Sequence, residues 1–428
     1  MKVNIITLGC SKNVVDSENV AGHLKKAGWQ VEFDSNSRGC DVVIVNTCGF
    51  IGDAKEESVN MLLEQIELKK RSRKKRRLYA VGCLVERYKK ELGDEMPEVD
   101  GYFGAHEWNQ LIETVTEAQA TPLESERKRS TPRHYAYLKI AEGCDRSCAY
   151  CAIPGIRGKY VSRPMTQLLS EAATLVEEGV KELIIIAQDT TYYGLDRYHR
   201  RSLGELLERL ANESGAEWIR LHYTYPAGFP LDVVDVMAQH DNICNYIDIP
   251  LQHINSQILQ SMRRETTREQ TLQLLQTLRS RLPNVALRTT LITGYPGETK
   301  AEFRELKDFV REANFERLGV FAYSPEEGTP AYRLGDPISE KEKQRRVGEL
   351  MAIHDELSLQ RNLGLVGRKM KVIIDRREND FYIGRTEYDS PEVDCEVLIP
   401  TERHVAVGHF CTVEITDAAE HDLTGRLC

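Results

Sequence analysis

A chain of 428 residues is long enough for two or three domains, each burying a core of its own. Its 41% hydrophobic and 29% charged residues are those of an ordinary globular protein, and a formal net charge of -9 argues against a general nucleic-acid binder. No apolar run approaches membrane-spanning length and the first residues lack a signal-peptide pattern, so the eleven cysteines read as those of a cytoplasmic chain that binds metal, not of a disulfide scaffold.

The first segment, residues 1–117, alternates strand-like runs (3–8, 42–45, 78–81) with helix-like ones (16–27, 54–70, 84–92). Such alternation predicts a parallel sheet covered by helices, a flavodoxin- or Rossmann-like arrangement. Cys10, Cys48 and Cys83 each follow a strand, and open parallel sheets gather ligands beyond their carboxyl ends. Singly, each is a small buried hydrophobe; together on one edge they read as a three-thiolate metal site. Cys40 precedes residue 42 at an amino end and reads as structural, as do Cys244, Cys395, Cys411 and Cys428, which have no partner spacing. The basic run Lys69-Lys-Arg-Ser-Arg-Lys-Lys-Arg-Arg77 is either a solvated helix end or a patch for RNA phosphate. Residues 118–133, polar and aperiodic with two prolines, read as a linker.

The second segment, residues 134–361, offers six strand candidates (135–140, 182–187, 218–222, 246–249, 286–292, 318–322) with helical patterns between them. Six such units predict a partial or complete β/α barrel, whose site forms at the carboxyl ends of the strands. There, directly after the first strand, stands Lys139-Ile-Ala-Glu-Gly-Cys-Asp-Arg-Ser-Cys-Ala-Tyr-Cys151. Its Cys144, Cys148 and Cys151 supply three thiolates where a closed zinc site or an ordinary iron–sulfur cluster wants four, so one metal position stays open for chemistry. Gln188, Asp189, Tyr225, Pro226, Gln252, His253 and the glycine-bearing stretch Thr293-Gly-Tyr-Pro-Gly-Glu-Thr299 also follow strands; Gln188 or Asp189 alone reads equally as a loop cap and His253 as a hydrogen-bonded core histidine, and only their summed placement favours a ligand mouth.

The third segment, residues 362–428, holds five short alternating runs (369–374, 381–385, 396–399, 412–416, 423–427), which fit a small closed barrel of the oligonucleotide-binding type. Thirteen acidic residues against eight basic ones give it a balance of -5, which would repel a phosphate backbone and attract a basic protein.

The CxxxCxxC loop, with Tyr150 before its last cysteine, resembles the signature of radical S-adenosylmethionine enzymes. Cys10, Cys48 and Cys83 upstream and a small terminal barrel narrow the resemblance to the methylthiotransferases, whose terminal barrel is a TRAM domain. The stretches Cys10-Ser-Lys-Asn13, Ala187-Gln-Asp-Thr-Thr-Tyr-Tyr-Gly194 and Tyr323-Ser-Pro-Glu-Glu-Gly-Thr-Pro330 look like the branch that acts on a ribosomal protein. The resemblance implies two 4Fe–4S clusters, one on Cys144, Cys148 and Cys151 that binds S-adenosylmethionine and yields a 5′-deoxyadenosyl radical, and one on Cys10, Cys48 and Cys83 that supplies sulfur. It implies methylthiolation of the β-carbon of an aspartate in small-subunit ribosomal protein twelve, free or in the ribosome, with a flavodoxin- or ferredoxin-type electron donor. Tyr150, Gln188, Asp189 and Gly294 are the positions expected to hold S-adenosylmethionine. The competing readings are a tRNA adenosine methylthiotransferase, a non-catalytic iron–sulfur carrier and a structural zinc protein.

Overall fold

The computed structural model describes residues 1–35, 39–72, 75–118 and 127–428. Five strands, β1 (Lys2–Thr7), β2 (Gln30–Phe33), β3 (Val42–Thr47), β4 (Arg77–Gly82) and β5 (Gly101–Phe103), form a parallel sheet in the order β2-β1-β3-β4-β5. The helices α1 (Ser11–Lys26), α2 (Gly52–Arg71), α3 (Cys83–Glu95) and α4 (Trp108–Thr116) cover it, with separate apolar clusters on its two faces. The chain starts at β1, moves out to β2 and returns to β3. The crevice between β1 and β3, beyond their carboxyl ends, is therefore the topological switch point where such sheets bind ligands. Two strands and one helix exceed the sequence expectation. β2 and β5 are four and three residues long with one buried residue each, too short to show periodicity.

The central unit is an open sheet of six parallel strands in chain order: β6 (Tyr135–Lys139), β9 (Glu182–Ile186), β10 (Trp218–Leu221), β11 (Ile243–Asp248), β12 (Ala286–Thr293) and β13 (Arg317–Ala322). Among the described residues β13 and β6 do not pair, so the barrel is partial. Two short strands, β7 (Ala141–Glu142) and β8 (Val161–Ser162), pair antiparallel above β6 and pin the base of the cysteine loop. Dimers of residues carry no readable pattern, and the sequence did not announce them.

The closed terminal barrel consists of β14 (Lys369–Glu378), β15 (Phe381–Arg385), β16 (Val397–Pro400), β17 (Phe410–Ala418) and β18 (Leu423–Leu427), in the order β14-β15-β16-β18-β17. It seats against the amino ends of the central strands, opposite the cysteine loop. Buried Glu182 accepts from Arg220 Nε at 2.6 Å and from Arg385 at 2.7 Å, and His134 meets Asp375 at 2.8 Å. Arg317 Nε donates to Asp389 at 2.7 Å, while Arg288 and Tyr246 share Asp394. Part of the barrel's acidity is structural: Asp389 and Asp394 neutralise Arg317 and Arg288 of the neighbouring unit, whereas Glu378, Glu396 and Glu414 pair with the barrel's own arginines and leave its balance unchanged. Among the described residues no helix is long and apolar enough to cross a membrane.

Candidate functional site

Each cysteine of the first triad occupies a strand-to-helix turn. Cys10 is the N-cap of α1, Cys48 follows β3, and Cys83 opens α3 behind Gly82. Helix starts present unpaired N–H groups and the positive end of the dipole, both favourable to thiolates. Glycine makes the approach of the turns possible. Gly9 has φ +89°, and a Cβ there would meet Cys48 Cβ and Sγ at 2.7 Å. Ser58 fixes the Cys48 turn in both directions, accepting from its N–H at 2.9 Å and donating to its carbonyl at 2.8 Å. Asn13 ties the triad's floor together, donating to the carbonyls of Leu8 at 2.8 Å and Thr47 at 3.3 Å. Burial pushes the Cys48 thiol up and Cys83 to about 11, with Cys10 adding to both.

The second triad hangs from β6 and the β7–β8 pair. Gly143, at φ +79°, lets the chain pass directly against the carbonyls of Gly158 and Lys159, and Cys144 N–H donates to Gly158 O at 3.1 Å. Arg264 donates to Cys148 Sγ at 3.5 Å and to Tyr150 Oη at 3.3 Å. Its guanidinium lies 4.2 Å from the Tyr225 ring centre, and Arg146 lies 3.9 Å from the same ring. Tyr225 Oη closes the loop by donating to Arg264 O at 3.0 Å. Burial pushes Cys144 to about 11 and Cys151 to about 12, so as free thiols they stay protonated at neutral pH. Metal binding would release those protons.

The two triads approach each other across the seam between the units, where Cys83 packs with Ala152 and Ile156, just beyond Cys151. Arg157 closes α5 (Ile153–Arg157), just beyond Cys151, and reaches into the first unit to donate to Cys83 Sγ at 3.3 Å and Asp16 at 2.7 Å. Lys139 bridges Asp16 and Glu142, and Gln188 donates to Glu142 at 2.7 Å. Burial opposes the Glu142 carboxylate, but Lys139 and Arg157 overcome it and hold its pKa at about 2. On the other side, buried Glu326 accepts from Lys55 of α2 at 2.9 Å and Arg87 of α3 at 2.6 Å. Between these contacts opens a cavity of about 780 Å³, lined by Cys144, Cys148 and Cys151 from one unit and by Glu86, Arg87 and Tyr88 from the other.

The four positions expected to hold S-adenosylmethionine diverge. Gln188 keeps a buried Oε1 without a hydrogen-bond partner, and Gln252, with φ +73°, does the same. Asp189 is occupied: it caps the turn Thr190–Tyr192 and accepts from Arg146 at 2.8 Å. Tyr150 packs into an apolar cluster with Ile258, Met262 and Tyr295, and Gly294 gives room to the Lys343 side chain. Gly294 N–H and Thr293 Oγ1 instead serve Glu298. Arg157, Arg264 and Arg146 carry no signal in the sequence, because an arginine's target becomes visible only in three dimensions. Cys40, Cys244 and Cys395 are buried outside both triads, Cys411 lies within β17 and Cys428 is exposed.

Each triad thus offers three neighbouring sulfurs. Among the described residues no three His, Cys, Asp or Glu side chains group as ligands of a single metal ion. Three thiolates without a fourth protein ligand are a donor set that suits an iron–sulfur cluster with one open iron better than a closed zinc site. The chain matches the Radical SAM superfamily over residues 138–310, the uncharacterized protein family UPF0004 over 2–104 and the TRAM domain over 366–428. The superfamily match implies one 4Fe–4S cluster and S-adenosylmethionine. Solved structures of the radical S-adenosylmethionine methyltransferase TsrM from Kitasatospora setae and of the cobalamin-dependent radical enzyme OxsB share the fold. Their TM-scores are 0.55 and 0.52 at 15% and 12% identity, covering 74% and 81% of this chain and 72% and 56% of those chains. A protein of Phocaeicola vulgatus named ribosomal protein uS12 methylthiotransferase RimO is 51% identical over 98% of both chains. Proteins of the same name from Bacteroides thetaiotaomicron and Porphyromonas gingivalis are each 50% identical, over 100% of this chain and 98% and 99% of their own. With identity sustained from end to end across all three units, the chain belongs to the family of the ribosomal protein uS12 methylthiotransferases.

Proposed function

We propose that this chain is a transferase that inserts sulfur and a methyl group at the β-carbon of an aspartate of ribosomal protein uS12, forming 3-methylthioaspartate. The observation that carries the reading is the approach of the two cysteine triads across the seam between the units, where Cys83 packs with Ala152 and Ile156 just beyond Cys151 and accepts a hydrogen bond from Arg157. Cys144, Cys148 and Cys151 would hold a 4Fe–4S cluster, which when bound leaves one iron for S-adenosylmethionine and supplies the electron for its cleavage, while Cys10, Cys48 and Cys83 would hold a second, which supplies the sulfur. The chain's other residues shape that space. Arg264 and Arg146 clamp Tyr225 and so fix the rim beside Cys148. The orphaned amide oxygens of Gln188 and Gln252 are acceptors for the cofactor; Tyr150, Asp189 and Gly294 act by fixing the loops around it. The Glu326 clamp keeps α2 and α3 over the mouth.

We place the units at residues 1–117, 134–361 and 362–428 with the linker at 118–133, of which 119–126 lie outside the described residues. A flavodoxin- or ferredoxin-type protein is the electron donor. Contact of residues 69–77 with RNA has less support. Arg73 and Lys74 lie outside the described residues, and Lys69, Lys70, Arg71 and Arg77 pair with nearby carboxylates.

The test is incubation of anaerobically reconstituted protein, S-adenosylmethionine and reductant with uS12 and, separately, with unmodified tRNA. Mass spectrometry should find the methylthio group on one uS12 aspartate. Methylthioadenosine in tRNA with unmodified uS12 would overturn the choice of substrate. A carrier role would appear as no 5′-deoxyadenosine above that of the Cys148→Ala variant.

A further inference from the structure

By sequence Arg157 belongs with the second triad, yet its side chain serves the first. The residue is 3% exposed, and a guanidinium so enclosed is tolerated only when its N–H groups are met. Nε donates to Cys83 Sγ at 3.3 Å; one terminal nitrogen donates to Asp16 at 2.7 Å and Glu142 at 3.4 Å; the other donates to Asn13 Oδ1 at 2.6 Å. Asp16 and Glu142 are balanced by Lys139 and Arg157, so the four charges sum to zero. Two carboxylates alone would satisfy an arginine whose task was to join two units. Here Asn13, itself bound to the carbonyls at the ends of β1 and β3, fixes the fork's third corner and turns Nε onto the sulfur. A hydrogen bond and a positive charge at a ligating sulfur favour the more negative, reduced state of an iron–sulfur cluster and raise its potential.

We propose that Arg157 is a positioning residue that sets the reduction potential of the cluster on Cys10, Cys48 and Cys83, through an N–H···S bond and a charge delivered from the loop of the other triad. The proposal rests on the reading that the first triad holds a cluster. Asp16 moderates the effect by neutralising part of the guanidinium charge. Arg264 stands in the same relation to Cys148, so each triad has one arginine on one sulfur.

The experiment uses the full chain with Cys144, Cys148 and Cys151 all changed to alanine, so that any remaining cluster is that of the first triad. Iron and acid-labile sulfide in this background support the underlying reading, and their absence overturns that reading instead of the role of Arg157. With the cluster present, a reductive titration followed by electron paramagnetic resonance gives its midpoint potential. Arg157→Gln should lower the midpoint, Arg157→Lys should give an intermediate value, and Asp16→Asn should raise it. An unchanged midpoint in Arg157→Gln at equal iron content overturns the proposal. If Arg157→Gln holds no iron, Asp16→Asn decides: an upward shift supports the proposal, and an unchanged or lower midpoint overturns it.

Discussion

On the proposed reading the two cysteine triads carry separable chemistry, and single substitutions test the separation. Cys144→Ala, Cys148→Ala or Cys151→Ala should abolish cleavage of S-adenosylmethionine. Cys10→Ala, Cys48→Ala or Cys83→Ala should spare cleavage and stop sulfur insertion, as read by 5′-deoxyadenosine and by modified uS12 in the same reaction. Equal loss of both products in both sets, with folding intact, would refute the division. Gly9 matters for geometry alone. An alanine there takes a left-handed φ and strikes Cys48, a strain of about 1–3 kcal/mol. Gly9→Ala should therefore lower first-triad iron content while leaving S-adenosylmethionine cleavage largely unaltered.

At the scale of elements, the site depends on how α2 and α3 sit over the loop after β13. Glu326 is the hinge of that contact, with Lys55 and Arg87 as its partners and a side chain 2% exposed. Removing one member of a buried ion pair costs about 3–5 kcal/mol, because the remaining charges stay desolvated. Glu326→Gln should loosen the first unit from the second. Faster amide exchange in residues 83–95, with β6 and β9 unaffected, is the expected result; unchanged exchange would show that the cysteine-side network alone holds the units together. The strand-end positions of all six cysteines were legible because apolar β-branched runs such as Val42–Thr47 announce themselves. The fixing elements were not. The β7–β8 pair has two residues per strand, and Arg157 ends a helix of five, so neither has a period to read.

For the whole molecule, acid should act through the joint between the second unit and the terminal barrel. Burial drives His222 well below its usual range and His354 down to about 4, with nearby arginines reinforcing both. A histidine kept neutral in the folded state contributes stability above its unfolded pKa of about 6.5 that is lost as pH falls toward the folded value, by up to about 1.4 kcal/mol per pH step. Urea midpoints should fall between pH 6.5 and 4, and His354→Gln should flatten that slope. Glu142 acts in the same direction only at much lower pH, between the ordinary glutamate range and about 2. The barrel's position also changes the argument about partners. Its acidity suggested a basic protein, but the barrel packs at the amino ends of the strands and turns Asp389 and Asp394 inward onto Arg317 and Arg288. The relation to uS12 rests on the family, not on that charge.

The sequence by itself determined three units, two cysteine triads at strand ends and the kind of chemistry three open thiolates allow, because strand periodicity and cysteine spacing are local. Only the tertiary structure decided that Cys83 packs beside the segment that follows Cys151 and that Arg157 crosses between the triads. It also decided that Asp189, Tyr150 and Gly294 are held by neighbours. Those outcomes depend on which distant side chains the packed units bring together, and no local pattern records that.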